Sequence, residues 1–140
     1  MSNLKEIKIG NSKVGNKNKV LIVAELSANH NQNKSKALEL VKIAKNVGAD
    51  AIKLQTYTPD TITLNSNLKD FKINKNSPWS DFGNLYNLFK HTYTPWEWHE
   101  DIFELADKLN LEYFSSPFDE TSVDFLSNLG VNVSDIDPRK

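Results

Sequence analysis

The sequence predicts an α/β fold with the order β-α-β-α-β-α behind a short N-terminal hairpin, and three observations support it. An apolar run at 20–24 and short strand-like segments at 51–55 and 111–115 each lead into polar residues. Apolar residues then recur at three- and four-residue spacing, as on the buried face of a helix. The connection between the first two runs is tight around its helix, which implies parallel strands joined by a right-handed crossover.

Each element has a local reason. Residues 6–9 and 13–14 flank Gly10-Asn11-Ser12, turn residues between short alternating segments, and predict a polar hairpin. Val-Leu-Ile-Val-Ala at 20–24 is apolar without alternation, the pattern of a strand covered on both faces. In 34–47, Ala37, Leu38, Val41, Ala44 and Val47 form a helical stripe, and Gly48 stands where a left-handed residue would end it. A second strand follows at 51–55.

The stretch 56–93 is rich in Asn, Asp, Ser and Thr and reads mostly as loop, with a turn or two of helix over 82–89. Thr94-Pro95-Trp96-Glu97 has the residue types of a capping box with proline at the first helical position. That helix is predicted to reach about Leu109 and to bury Trp98, Ile102, Leu105 and Leu109. The third strand, 111–115, ends in Ser115-Ser116, and Asp119 caps a last helix through Val123, Leu126 and Leu129 to Gly130. Residues 131–140 turn polar and carry no periodic signal.

Composition removes several function classes. The chain has 140 residues, no cysteine and a formal charge of −1, which excludes disulfide frameworks, thiolate chemistry and a global field for nucleic acid or anionic lipid. No apolar run approaches the roughly 18 residues a membrane span needs, and 1–8 lacks the apolar core of a signal peptide, so a cytoplasmic protein is expected. The scattered glycines form neither a dinucleotide fingerprint nor a P-loop, and no G-x-S-x-G elbow occurs.

In parallel α/β folds, polar residues just past the carboxyl ends of the strands share one crevice. Here those ends deliver Glu25, Asn29 and His30, then Lys53, Gln55 and Thr56, then Ser115 and Ser116. A lysine inside an apolar strand is costly unless paired, so Lys53 is expected to meet either an anionic ligand or a carboxylate such as Glu25. A purely structural Lys53–Glu25 pair is as good a reading as a ligand role. Asn29 and Ser116 taken singly could serve turn backbone. His30 reads as a loop hydrogen-bonder rather than a metal ligand, His91 and His99 carry less signal still, and Trp96 and Trp98 read as packing.

Four ordered blocks then carry a resemblance: Val-Ala-Glu-Leu-Ser-Ala-Asn-His-Asn at 23–31, Gly-Ala-Asp-Ala-Ile-Lys-Leu-Gln-Thr-Tyr-Thr-Pro-Asp-Thr at 48–61, Tyr-Thr-Pro-Trp-Glu-Trp-His at 93–99 and Phe-Ser-Ser-Pro-Phe-Asp at 114–119. Together they resemble the sialic acid synthase family. The Ser-Ala-Asn-His and Lys-Leu-Gln-Thr-Tyr-Thr-Pro forms are most similar to its pseudaminic acid synthase branch, with N-acetylneuraminate or legionaminate specificity as alternatives.

The resemblance implies that residues 1–131 correspond to the N-terminal part of a (β/α)8 TIM barrel, with 132–140 a divergent tail and the family's C-terminal antifreeze-like domain absent. A whole barrel takes roughly 200 to 250 residues, so a truncated barrel is expected. Such a piece, with uncovered sheet edges, is expected to be aggregation-prone. A non-catalytic fragment or interaction module is the alternative from a different class, and a small flavodoxin-like domain lacks both motif and strands.

The implied reaction condenses phosphoenolpyruvate with a 2,4-diacetamido-trideoxy hexose to a nine-carbon acid and releases phosphate. Glu25 and Lys53 are the implied catalytic residues, and Asn29, Gln55, Tyr57 and Ser116 the implied substrate-binding ones. Lys53 and Ser116 would hold phosphoenolpyruvate, with Glu25 near the reacting end of the sugar. The family also implies a divalent metal (Mn, Mg or Co), whose histidine ligands are expected outside this sequence, and a homodimer. Activity of the short chain by itself is not expected.

Overall fold

The computed structural model describes residues 6–15 and 17–131. The expected divergent tail at 132–140 lies outside the described residues. Strands β1 (Ile7–Ile9) and β2 (Ser12–Val14) form the antiparallel hairpin, with Ile9 opposite Ser12 across the turn. Gly10 is required there twice over. Its φ is +55°, and a Cβ would collide with the Glu112 carboxylate, which accepts a hydrogen bond from the Asn11 amide at 2.7 Å. The hairpin is thereby fastened to the entrance of the third parallel strand.

Three strands make the main sheet: β3 (Val23–Glu25), β4 (Ala51–Thr56) and β5 (Glu112–Pro117), parallel in the order β3-β4-β5. Helix α1 (Lys34–Asn46) joins β3 to β4. It starts at Asn33, whose side chain accepts from the Lys36 amide, and ends at Val47 before Gly48 at φ +89°. The route from β4 to β5 holds α2 (Pro59–Ile62), α3 (Leu85–Thr92) and α4 (His99–Lys108), and α5 (Glu120–Asn128) comes after β5. Asp119 caps α5 through the Thr121 amide and forms a capping box with Ser122.

Pleating sorts the strand residues. Ile52, Leu54 and Thr56 of β4 point into the helix layer, where Ile52 and Leu54 join Ala37, Val41, Ala44, Ile102, Ala106 and Leu126 in the core. Lys53 and Gln55 point to the other face. Lys34 and Asp101 form an ion pair between α1 and α4, which lie side by side on the helix layer.

Three expectations are corrected. The capping box at Thr94 does not form: Pro95 leads into a 3-10 turn, Trp96–Trp98, and α4 begins only at His99. Thr94 is buried, and its hydroxyl is taken by His30 instead. Three residues per turn in that segment shifts the phase of the α-helix behind it, so α4 buries His99, Ile102, Phe103 and Ala106, leaving Trp98, Leu105 and Leu109 only partly covered.

The apolar run at 20–24 is not covered on both faces. Its paired part is Val23–Glu25, and Val20, Ile22 and Val23 are 78%, 53% and 38% exposed. β3 pairs only with β4 among the described residues, and its face away from the helices meets no second layer there. The predicted turn of helix at 82–89 lies three residues later, at α3, because Asn84 caps it by accepting from the Asn87 amide.

Candidate functional site

At the carboxyl ends of the strands the register sets Glu25 beside Lys53, and Lys53 beside Phe114, all on the face away from the helices. Lys53 Nζ lies 2.7 Å from Glu25 Oε2, with each side chain 32% exposed. The second carboxylate oxygen accepts from the Ser27 amide at 3.3 Å, so Glu25 is held from two sides. At this exposure an ion pair contributes about 0–1 kcal/mol to stability. One residue pair further along, Gln55 stands opposite Ser116 on the same face. Neither side chain makes a hydrogen bond among the described residues, so an amide and a hydroxyl remain open beside a half-buried ammonium and carboxylate.

The loop after β3 is wound tightly. Ser27, Asn31 and Gln32 have φ of 43°, 49° and 55°, the left-handed region that costs non-glycine residues of order 1 kcal/mol each. His30 anchors it. Fully buried, its Nδ1 accepts from the Gln32 amide at 3.1 Å, so the neutral ring carries its proton on Nε2 and donates to Thr94 Oγ1, also at 3.1 Å. Burial, and then the Lys36 charge, hold its pKa below the ordinary histidine value. The ring meets Trp98 edge-on at 5.3 Å. Asn29 donates its side-chain amide to the Leu26 carbonyl at 3.0 Å, a turn contact.

Tyr57 is buried rather than open to the crevice. Its ring meets Phe89 and Phe118 edge-on at 5.7 and 5.5 Å. Its hydroxyl donates to Thr92 Oγ1, whose own proton is used on the Leu88 carbonyl, and burial pushes its pKa up. Thr56 and Ser115 lie on the helix side of the sheet, on the opposite face from the Lys53–Glu25 pair. They join His99 there: Ser115 Oγ is 2.6 Å from Thr56 Oγ1, which is 2.9 Å from His99 Nε2. Burial drives the His99 pKa down to about 4.

Sequence reasoning passed over His99 and the tertiary role of Thr94. A signal existed: His99 falls in phase with Ile102, Phe103 and Ala106, and a polar side chain on an apolar helical face requires a buried partner. Among the described residues no group of three or more His, Cys, Asp or Glu side chains is placed to hold a metal ion. Both ring nitrogens of His30 and of His99 are committed to hydrogen bonds. The described residues therefore do not fit a metal centre by themselves. A cleft of about 560 Å3, lined by Gly10, Asn11, Asp107, Glu112 and Val131, opens at the opposite, amino-terminal end of the sheet. No helix among the described residues is long and apolar enough to cross a membrane.

Parallel strands alternating with helices, with a paired acid and base at the carboxyl ends, define the class: this is a segment of a (β/α)8-barrel of the synthase type. The chain belongs to the NeuB family, the sialic acid synthases, whose model matches residues 40–137. A pseudaminic acid synthase of Campylobacter jejuni subsp. jejuni serotype O:2 is 52% identical over 116 residues, covering 81% of this chain and 33% of the relative. One from Helicobacter pylori is 51% identical over 108 residues, 77% of this chain and 31% of the relative. The chain thus spans about a third of the length of the curated relatives it matches. Among solved structures, an N-acetylneuraminic acid synthetase from Leptospira borgpetersenii serovar Hardjo-bovis, in complex with citrate, aligns with a TM-score of 0.71 and 27% identity. That alignment covers 91% of this chain and 39% of the synthetase.

Proposed function

We propose that this chain supplies the first strand ends of a pseudaminic acid synthase-type active site. That enzyme would join carbon 3 of phosphoenolpyruvate to the aldehyde carbon of an open-chain 2,4-diacetamido-trideoxy hexose. Water adds at carbon 2 of the former phosphoenolpyruvate, the bond from that carbon to the phosphate oxygen breaks, and the aldehyde oxygen ends protonated. The domain reading goes with it: residues 1–131 belong to the N-terminal part of the barrel domain.

The observation that carries this is the 2.7 Å pair of Lys53 and Glu25 beside the open Gln55 and Ser116. The ammonium offers a cation to the phosphoenolpyruvate anion, and the Ser116 hydroxyl offers it a hydrogen bond. The Glu25 carboxylate, held by Ser27 and Lys53, is suited to exchange a proton with the carbonyl end of the sugar. Gln55 is suited to the sugar's hydroxyl and acetamido groups. Asn29 and Tyr57 support the walls, the first through its turn contact and the second through its aromatic packing. The relatives named pseudaminic acid synthase favour this sugar class over N-acetylneuraminate or legionaminate substrates. The reaction's metal, a homodimeric partner and a cytoplasmic setting belong to the same reading.

Binding of phosphoenolpyruvate to the chain, monitored by amide NMR with pyruvate and inorganic phosphate as controls, tests the reading. Selective perturbation at Lys53, Gln55 and Ser116, lost in Lys53→Ala, is expected. Perturbation spread evenly over the surface, or unchanged in Lys53→Ala, would contradict it. A second reading, a non-catalytic interaction module, draws on the exposed Val20, Ile22 and Val23. Phosphate release by the chain given phosphoenolpyruvate, the sugar and a divalent metal would sink that alternative.

A further inference from the structure

The segment from Thr94 to His99 is tied to the loop after β3, to the carboxyl end of β4 and, through β4, to β5. Thr94 receives the hydrogen bond from His30 of the β3 loop, Trp96 Nε1 donates to the Tyr57 carbonyl just past β4 at 3.1 Å, and His99 reaches Thr56 and through it Ser115. The direction of the last chain of hydrogen bonds is set by its far end. His99 Nδ1 faces the Pro95 carbonyl at 3.4 Å, and a carbonyl can only accept, so the proton sits on Nδ1. Nε2 of the neutral ring then accepts from Thr56, and the Thr56 oxygen accepts from the Ser115 hydroxyl.

This relay is fully buried: Thr56 and His99 are 0% exposed and Ser115 1%. Three apolar side chains would fill the same space without any desolvation cost, so what the polar relay adds is direction rather than cohesion. Because side chains alternate along a strand, Gln55 and Ser116, the neighbours of Thr56 and Ser115, must point to the opposite face. They are register partners across β4 and β5.

We propose that His99 is a positioning residue: acting through Thr56 and Ser115 behind the sheet, it fixes the relative placement of Gln55 and Ser116 on the ligand-facing side. The proposal rests on the reading of Gln55 and Ser116 as substrate-facing groups. The low pKa of His99 agrees with it, since a neutral ring keeps one acceptor for Thr56 throughout the physiological range.

Amide and side-chain NMR of the chain, with phosphoenolpyruvate as the probe ligand, tests this in Thr56→Val, which keeps the shape and removes the hydroxyl, and in Thr56→Ser, which restores it. Thr56→Val is expected to move the Gln55 and Ser116 signals while those of Val41 and Leu126 stay in place. It is also expected to weaken phosphoenolpyruvate binding about tenfold, with Thr56→Ser recovering both. Unmoved Gln55 and Ser116 signals would overturn the proposal. So would moved signals with unchanged affinity, which would leave a structural role alone. Should Thr56→Val not fold, Ser115→Ala, which removes only the terminal donor, is read by the same criteria. If the unsubstituted chain gives no perturbation with phosphoenolpyruvate, the functional reading falls. The Gln55 and Ser116 signals then still decide whether the buried relay sets their placement.

Discussion

Lowering the pH from 7 to 4.5 charges histidines in the unfolded chain, while His99 resists protonation in the folded one. Its folded pKa of about 4 lies below the unfolded value of 6.5 because the ring is buried away from water. A depressed folded value means stability that is complete above 6.5 and is lost as the pH falls towards 4. At about 1.4 kcal/mol per pH unit, the gap corresponds to about 3 kcal/mol withdrawn across that window. That is a large share of a small domain's stability. His30, held low by burial and by Lys36, contributes in the same direction. Glu6 and Asp50 are held below their usual range, by Asn18 and Lys13 for the first and by Lys19 and the Ile22 amide for the second. Their losses therefore begin as the pH falls into the ordinary carboxylate range, where the unfolded chain takes up those protons first, and so lie at the acid end of the window and below it. Urea unfolding observed by tryptophan fluorescence, at concentrations that keep the chain monomeric, measures the effect at half-unit pH steps. Stability is expected to fall between pH 6.5 and 4.5, with a shallower fall in His99→Gln. A wild-type curve flat from pH 7 to 5, or an equally steep curve in His99→Gln, would refute the assignment of a buried neutral imidazole.

Other substitutions have equally specific consequences. Asp119→Ala removes the cap of α5 and is expected to cost about 1 kcal/mol with loss of helical circular dichroism, both read in a urea titration. Gly10→Ala places a methyl against the Glu112 carboxylate at a left-handed φ, so the hairpin is expected to detach; hydrogen exchange at Ile7 and Val14 should quicken while Ile52 stays protected. Ile22→Lys removes exposed apolar surface just before β3, and binding of a hydrophobic dye and self-association measured by light scattering should both decrease.

The features legible in the sequence are those that local chemistry decides. Gly48 and Asp119 mark helix ends because a left-handed C′ residue and an N-terminal carboxylate act within one turn of chain. The Glu25–Lys53 pair is legible because an ammonium inside an apolar strand demands a counter-charge nearby, and the neighbouring strand end supplies one. Thr94 misleads because the residue types of a capping box are also good tertiary partners, and a histidine 64 positions away claims the hydroxyl. The run at 20–24 misleads because an apolar pattern is the same whether or not a second layer covers it. Tyr57 stands beside polar residues in sequence, yet two phenylalanines distant in sequence enclose it.

The proposed function makes Lys53 the cation for phosphoenolpyruvate, and the 2.7 Å ion pair sets that ligand in competition with the Glu25 carboxylate. The phosphoenolpyruvate dissociation constant, compared among the wild-type chain, Glu25→Gln and Lys53→Ala, tests it most directly. Removing the carboxylate charge frees the ammonium, so Glu25→Gln is expected to bind phosphoenolpyruvate more tightly, and Lys53→Ala to lose binding with little change in stability. Unchanged binding in Lys53→Ala, or weaker binding in Glu25→Gln, would contradict the account.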